Sequence, residues 1–363
     1  MITVNTASLV YALSFIKDIV PASPHDPLWA NVLIQVHEDT LELSGVSYDK
    51  QGAVTISATI ADGCFDFAVD VSKLTRLVNQ LKERNQTIKL RLTKARLYVS
   101  GERGENEVYL PLILDFEPIR LNKIASVHDK QVEVAPEHFL EGLRIVGFAR
   151  GNTVAYSSVH VTCEPGQMVL EAMDGFCGGY TVVPCDSVDS FEIAVPKSIE
   201  KPLKKALKLK ENTWRVGYQD NKLYVLGADW YIGYSVNSEK YPNISAIYGS
   251  AKDEMFQVNR EDLMYALSLL TIADTESDKT EITVQDDKML LTVSGPHGGG
   301  KHEITMLSEV DAKVNLVLNM VQLNTILQMV RSDTVNFTTG YRGEAVIVTD
   351  DKSNDKYFII QYN

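Results

Sequence analysis

ITVNTASLVYALSFI (residues 2–16), VEVAPEHFLEGLRIV (132–146) and FQVNREDLMYALSLL (256–270) state one pattern three times. A short strand ending in Val meets a polar start, and apolar residues at helical spacing follow. Leu9, Leu13 and Ile16 share one helical face, as do Leu140, Leu143 and Val146, and Leu263, Leu267 and Leu270. A second set lies between them: FAVDVSKLTRLVNQL (67–81), IAVPKSIEKPLKKAL (193–207) and LVLNMVQLNTILQMV (316–330). Asp70, Pro196 and Asn319 stand where these helices begin. Asp and Asn accept bonds from the unpaired first N–H groups of a helix, and Pro lacks the donor left idle there.

The equivalent residues Val4, Val134 and Val258 recur at steps of about 125 residues, as do Val69, Val195 and Leu318. Alternating runs follow each helix, such as TWRVGYQ, KLYVLGA and WYIGYSV after the fourth. Turn residues between them mark antiparallel hairpins. Each half-unit therefore reads β-α-β-β-β, and the fold class is α+β with three similar domains. Boundaries are expected in the polar stretches 117–130 and 248–254, giving domains 1–127, 128–250 and 251–363.

The chain of 363 residues is 45% apolar and 23% charged, the composition of a globular protein rather than a disordered one. No run approaches the roughly 20 apolar residues of a membrane helix, and the first residues read as strand and helix rather than as a signal peptide. Cys64, Cys163, Cys177 and Cys185 lack metal-ligand or disulfide spacing, so free thiols in a reducing cytoplasm are expected. No metal and no cofactor is expected.

The net charge of −13 argues against nucleic-acid binding unless the charges are segregated. They are. Residues 251–363 hold 10 basic and 18 acidic side chains, whereas 196–210, PKSIEKPLKKALKLK, sets six lysines against Glu200. Lys197, Lys201, Lys204, Lys205 and Lys208 fall on one helical stripe, a surface suited to phosphates; the bland alternative is a solvated helix face. Lys73, Arg76 and Lys82 add to it from the second helix. Lysine is a hydrated point charge, fit for sequence-blind backbone contact.

GPHGGGKH (295–302) nearly spells a phosphate-binding loop, but it joins two strands where that motif needs a strand and a helix, so a flexible hairpin loop is expected. AMDGFCGG (172–179) reads as an Asp-Gly turn rather than a catalytic acid. No nucleophile–base pair is legible, and a non-catalytic protein is expected.

The whole layout resembles the bacterial DNA polymerase III β-subunit family, the sliding clamps. PLWANVLIQVHEDTLELSG (27–45), Asp115-Phe116, EAMDGF (171–176), EKYPNISAIY (239–248) and VNREDLMYALSLL (258–270) carry the resemblance. It implies a ring-forming head-to-tail homodimer around double-stranded DNA, without sequence specificity. Tyr156 is then DNA-facing with the lysines. The dimer contact joins Val108 and Leu110 to Leu269, Leu270 and Ile272 of a second copy. A DNA polymerase and a clamp loader dock through short peptide motifs in a pocket. It is formed by Met173, Gly175, Phe176, Pro242, Ile247, Ala345, Val346, Phe358, Ile359 and Ile360. The chain departs from the family at Met173, Phe176 and Cys177 and in its last residues, which marks a divergent member. A second reading is a scaffold that sequesters clamp partners without encircling DNA; a third, an enzyme binding nucleotide at the Gly-rich loop, is disfavoured by that loop's setting.

Overall fold

A computed structural model describes residues 1–21, 27–61, 63–102, 107–114, 130–186, 190–219, 221–236, 241–242, 244–249, 254–273, 278–340, 343–350 and 352–362. Asp115-Phe116 and nearly all of 117–130 lie outside the described residues, as does part of 248–254.

The first half-unit is β1 (Ile2–Asn5), α1 (Thr6–Ile19), β2 (Asn31–Val36), β3 (Thr40–Val46) and β4 (Lys50–Ile60). The second is β5 (Phe65–Asp70), α2 (Val71–Lys82), β6 (Thr87–Leu92), β7 (Arg96–Gly101) and β8 (Val108–Pro111). The third runs β9 (Gln131–Val134), α3 (Pro136–Gly147), β10 (Ser158–Glu164), β11 (Gln167–Met173) and β12 (Cys177–Pro184). The fourth holds β13 (Phe191–Pro196), α4 (Glu200–Ala206), β14 (Trp214–Gln219), β15 (Lys222–Leu226) and β16 (Trp230–Ser235), followed by the short α5 (Ser245–Gly249). Last come β17 (Glu254–Asn259), α6 (Arg260–Ala273), β18 (Lys279–Gly295), β19 (Gly298–Asn319), α7 (Met320–Met329), β20 (Thr334–Thr339), β21 (Ala345–Asp350) and β22 (Lys356–Ile360).

The helix starts follow from side-chain chemistry. Asn5 accepts the Ser8 N–H at 3.1 Å, Asp70 that of Lys73 at 2.8 Å and Asn319 that of Gln322 at 2.9 Å. Leu9, Leu13 and Ile16, and Leu263, Leu267 and Leu270, are buried as their spacing requires.

The chain forms two compact units. The first comprises Met1–Glu137, Asp186–Asp189 and Ser198–Val236; the second comprises His138–Cys185, Ser190–Lys197 and Asn237–Asn363. A 12-stranded sheet lies in the first, its longest path running β8-β7-β6-β1-β4-β16-β15-β14-β9. The second holds an eight-stranded sheet, β13-β10-β11-β12-β22-β21-β20-β17, and the β18–β19 ribbon. The strand that opens a half-unit pairs with the sheet of the other half: β5 with β2, β9 with β14, β13 with β10 and β17 with β20. Sheets also run on from one repeat to the next, through β4–β16 and β12–β22. Hydrogen bonding is thus as dense across the repeat limits as within them, and the two units share the middle repeat between them.

One local expectation needs correction and a second is refined. The lysine segment is not one continuous α-helix: 3-10 turns at Lys197–Ile199 and Leu207–Leu209 flank a seven-residue α4, and Lys210 ends it in the left-handed region, φ 56°. A regular 100° step per residue therefore holds only over Glu200–Ala206. The Gly-rich segment forms the expected hairpin, but its glycines belong to the strand and not to a loop. Gly298–Gly300 are strand residues opposite Gly295–Val293, with a tight turn at Pro296-His297. A Cβ on Gly298 would lie 2.3 Å from the Ala273 carbonyl oxygen, and one on Gly299 would lie 2.6 Å from that of Val293. Glycine is needed for backbone to approach backbone, not to cradle phosphate.

Buried phenols mark both cores. Burial holds Tyr11 and Tyr231 in the first unit, and Tyr241 and Tyr357 in the second, well above the ordinary tyrosine range. Tyr234 is pushed up to about 12, first by burial and then by its hydrogen bond to Asp49. Unfolded tyrosines ionise near pH 10 while these stay protonated, so above pH 10 the folded state binds more protons than the unfolded one. The expected result is a urea midpoint that holds below pH 9 and falls steadily from pH 10 to 12. Ultraviolet titration of the folded protein showing every phenol ionising near pH 10 would remove the basis for it.

Candidate functional site

In the second unit the β11–β12 turn is set by one carboxylate. Asp174 Oδ1 accepts the N–H groups of Phe176 and Cys177, each at 2.8 Å, and Gly175 takes φ 100°. Gln322 Nε2 donates to Oδ2 at 3.3 Å. Asp174 is occupied as a turn former, and the Cys177 thiol 3.6 Å from its Oδ2 is held far above the ordinary thiol range by burial and by that carboxylate, so the pair is not an activated nucleophile. Phe176 is left 65% exposed at the turn's tip while its carbonyl accepts the Ile360 N–H at 2.7 Å. That bond, and the pairing of Cys177 with Ile359, bring β22 alongside.

A hydrophobic cluster lies beside this turn. Met173, Ile244, Tyr248, Ile347 and Phe358 form its buried part, and Tyr156, Tyr180, Tyr241, Ile247 and Ile360 pack against them. Tyr248 meets Phe358 edge-on at 5.7 Å and Tyr180 at 5.4 Å. Gly178 makes room for Phe358, since a Cβ there would sit 2.1 Å from the ring. His160 stacks on Tyr241 at 4.7 Å and 4°, within 3.9 Å of Glu171 and 3.5 Å of Glu192. Burial pushes the Cys163 thiol up to about 12, so it is no nucleophile at neutral pH. None of the four cysteines is joined in a disulfide.

The structure brings together Met173, Ile247, Phe358 and Ile360 and places Gly175 and Phe176 beside them, with Pro242 half-buried. Ala345 pairs with Ile360, on the face shared by Ile347 and Phe358. Val346 and Ile359 pair with each other and, by the two-residue alternation of a strand, belong to the opposite face, where both are fully buried. Tyr156, read as DNA-facing, packs against the cluster. Sequence reasoning passed over Tyr180, Tyr241 and Ile347.

The basic residues of the first unit stand on α2 and around α4. Lys73, Arg76 and Lys82 are exposed while Leu74 and Val78 on the same helix are buried. Lys201 and Lys205 are not free. Both reach the Asp18 carboxylate on α1, which is only 6% exposed; Lys201 does so at 2.7 Å, and Lys205 also donates to the Ser14 carbonyl at 2.5 Å. Lys50 Nζ donates to the Asp18 carbonyl at 3.2 Å. Lys204 lies 3.5 Å from Glu200 and stays 64% exposed, and Lys208 is exposed too. Lys197, a residue of the second unit, is exposed on its 3-10 turn.

Among the described residues strand β8 pairs only with β7 and ends its sheet. Val108 and Tyr109 on it are 45% and 52% exposed, whereas Leu110 points into the core. Arg96 lies over the Tyr109 ring at 4.2 Å and Arg91 over Tyr98 at 4.1 Å. On α6 of the second unit, Leu269 and Ile272 are exposed and Leu270 is buried. Among the described residues no His, Cys, Asp and Glu cluster could hold a metal ion, and no helix is long and apolar enough to cross a membrane.

Residues 1–113 match the family model of the DNA polymerase III beta subunit, N-terminal domain. The chain is 20% identical to the beta sliding clamp of Synechococcus elongatus over 85% of its own length and 84% of that protein's. Its fold superposes on the DNA polymerase III subunit beta of Pseudomonas aeruginosa with a TM-score of 0.87 at 16% identity, covering 100% of both chains. On the DNA polymerase sliding clamp of Bacillus subtilis the score is 0.88 at 14% identity, covering 100% of this chain and 98% of that one.

Proposed function

From a chain that is a divergent relative of the DNA polymerase III beta subunits, with their α+β clamp fold along its whole length, we propose a DNA sliding clamp without catalytic chemistry. Two copies join head to tail, encircle double-stranded DNA and tether a DNA polymerase during replication in the cytoplasm. Its domains are 1–127, 128–250 and 251–363.

The observation that carries this reading is the edge strand β8, which among the described residues has no partner on its outer side and displays Val108 and Tyr109 at the end of a 12-stranded sheet. An exposed apolar edge is a hazard unless another chain covers it. A contact between unlike surfaces closes into a ring when its rotation permits, so Leu269 and Ile272 of a second copy are the candidates to cover that edge. A closed ring also reconciles the net charge of −13 with DNA, because the link is topological and only the lining has to be basic. Lys73, Arg76, Lys82, Lys197, Lys204 and Lys208 are exposed cations available for that lining. The cluster around Met173 and Phe358, with Phe176 at its rim, supplies an apolar seat for partner peptides of the polymerase and the clamp loader.

Light scattering at micromolar concentration tests the assembly and is expected to return twice the chain mass of 40.4 kDa. Loaded protein should stay on nicked circular DNA and run off when the circle is cut. A monomer that never remains on a circle would support the partner-sequestering scaffold instead.

A further inference from the structure

The first unit carries a turn with the same backbone bonds and strand register as the turn that borders the apolar cluster of the second. Ser47 N–H donates to the Lys50 carbonyl at 2.7 Å, as Asp174 N–H does to Cys177 at 3.1 Å. Ser235 N–H donates to the Asp49 carbonyl and Ile360 N–H to that of Phe176, both at 2.7 Å. Lys50 pairs with Tyr234 across β4–β16 where Cys177 pairs with Ile359 across β12–β22. The two turns are therefore equivalent, with Gly233 at the position of Phe358, Gln51 at that of Gly178 and Ser235 at that of Ile360.

The chemistry at the two places is opposite. Glycine stands in the first unit where the second has its central phenyl ring, and a Cβ there would meet the Tyr224 ring at 2.6 Å; a small open cleft lies alongside, lined by Ser47, Tyr48, Lys50, Lys222, Gly233 and Ser235. Lys50 spends one of its three ammonium protons on the Asp18 carbonyl. The one carboxylate in the cleft, Asp49, already accepts from the hydroxyls of Ser47, at 3.1 Å, and of Tyr234. At the rim Tyr48 is 65% exposed and braced edge-on by Trp29, 4.0 Å away between ring centres. An exposed aromatic ring held by a second ring, beside two amines and two hydroxyls, is the set that takes a base on its face and a phosphate on its cations.

We propose that this cleft is a second docking site, for single-stranded nucleic acid, with a base stacked on Tyr48 and the adjoining phosphate on Lys222 and Lys50. The site lies within one unit of one chain, and a linear strand is not held by ring closure. It therefore stands or falls separately from the clamp reading.

The test is fluorescence anisotropy of a short labelled oligothymidylate with the full chain. Tyr48→Ala is expected to weaken binding about tenfold, since stacking one base is worth about 1–3 kcal/mol and each 1.4 kcal/mol is tenfold. Tyr48→Phe should restore it. Lys222→Gln should weaken it and reduce the slope against log salt by about 0.7, one phosphate's share. Phe176→Ala, in the second unit, should leave it unchanged. Equal affinity for the wild type, Tyr48→Ala and Lys222→Gln overturns the proposal. So does a loss confined to Phe176→Ala, which places the strand on the apolar cluster, and so does binding of an acidic peptide with none of the oligonucleotide. Thermal unfolding of Tyr48→Ala is expected to match the wild type, because the ring is exposed; a large drop would make Tyr48 a structural residue and overturn its assignment.

Discussion

Replacing Phe358 by alanine is expected to lower the unfolding free energy by about 3–5 kcal/mol and, on the proposed function, to abolish peptide docking at the same time. The ring is fully buried, edge-on to Tyr248 and directly over Gly178. Strand β22 is paired on both sides, with β12 and β21, so its backbone cannot sink to fill the space left behind. The cavity term is then retained nearly whole, and Met173, Ile244 and Ile347 lose their common neighbour. Phe358→Leu keeps most of the volume and is expected to cost less than half as much. Urea denaturation of both variants checks the magnitudes. A loss below about 1 kcal/mol for the alanine variant would mean that the cluster repacks.

Charge reversal at Lys205 is expected to destabilise the first unit by about 3 kcal/mol or more, while reversal at Lys204 stays within about 0.5 kcal/mol. The two lysines are neighbours in sequence and opposites in setting. Lys205 is 26% exposed, paired to the nearly buried Asp18 and bonded to the Ser14 carbonyl. A glutamate there faces Asp18 with like charge, and Lys201 is left as that carboxylate's remaining ionic partner. Lys204 stands out in solvent beside Glu200. Tests of DNA retention should therefore reverse Lys204 and Lys208 and leave Lys201 and Lys205 alone. Unfolding curves decide the first point. If Lys205→Glu melts like the wild type, Asp18 is not the anchor described.

These two predictions also measure what the sequence could tell. The six half-units were legible because period and caps are local: Asn5, Asp70 and Asn319 act within three residues of themselves. The buried helix faces followed for the same reason. The Asp18–Lys205 pair was hidden because its members are far apart in sequence, and a lysine stripe looks alike whether it is solvated or spoken for. The break of α4 into 3-10 turns left no periodic mark over so short a segment. Around the cluster, AVIVTD and KYFII are apolar at most positions. Alternation could not say which residues share Phe358's face, and only register set Val346 and Ile359 apart from it. The Gly-rich hairpin was legible from its setting between two strands, although glycines that let a strand pass close to α6 look the same on paper as glycines that wrap a phosphate.

The pairing of β4 with β16 has a consequence in time. Residues 50–54 of β4 wait for partners at 230–234, about 180 residues later in the chain. At a synthesis rate of roughly 5–20 residues per second, that edge stands open for about 10–35 s on each nascent chain. It is a stretch of ready hydrogen-bonding groups that a neighbouring polypeptide could take up. Lys50, Gln51 and Gly52 occupy its first three positions, a cation, an amide and a residue with poor strand propensity. Such residues are the usual guard of an unpaired edge. The fully paired interior strand of the finished sheet thus carries the composition of an edge, the imprint of the interval before its partner has been made.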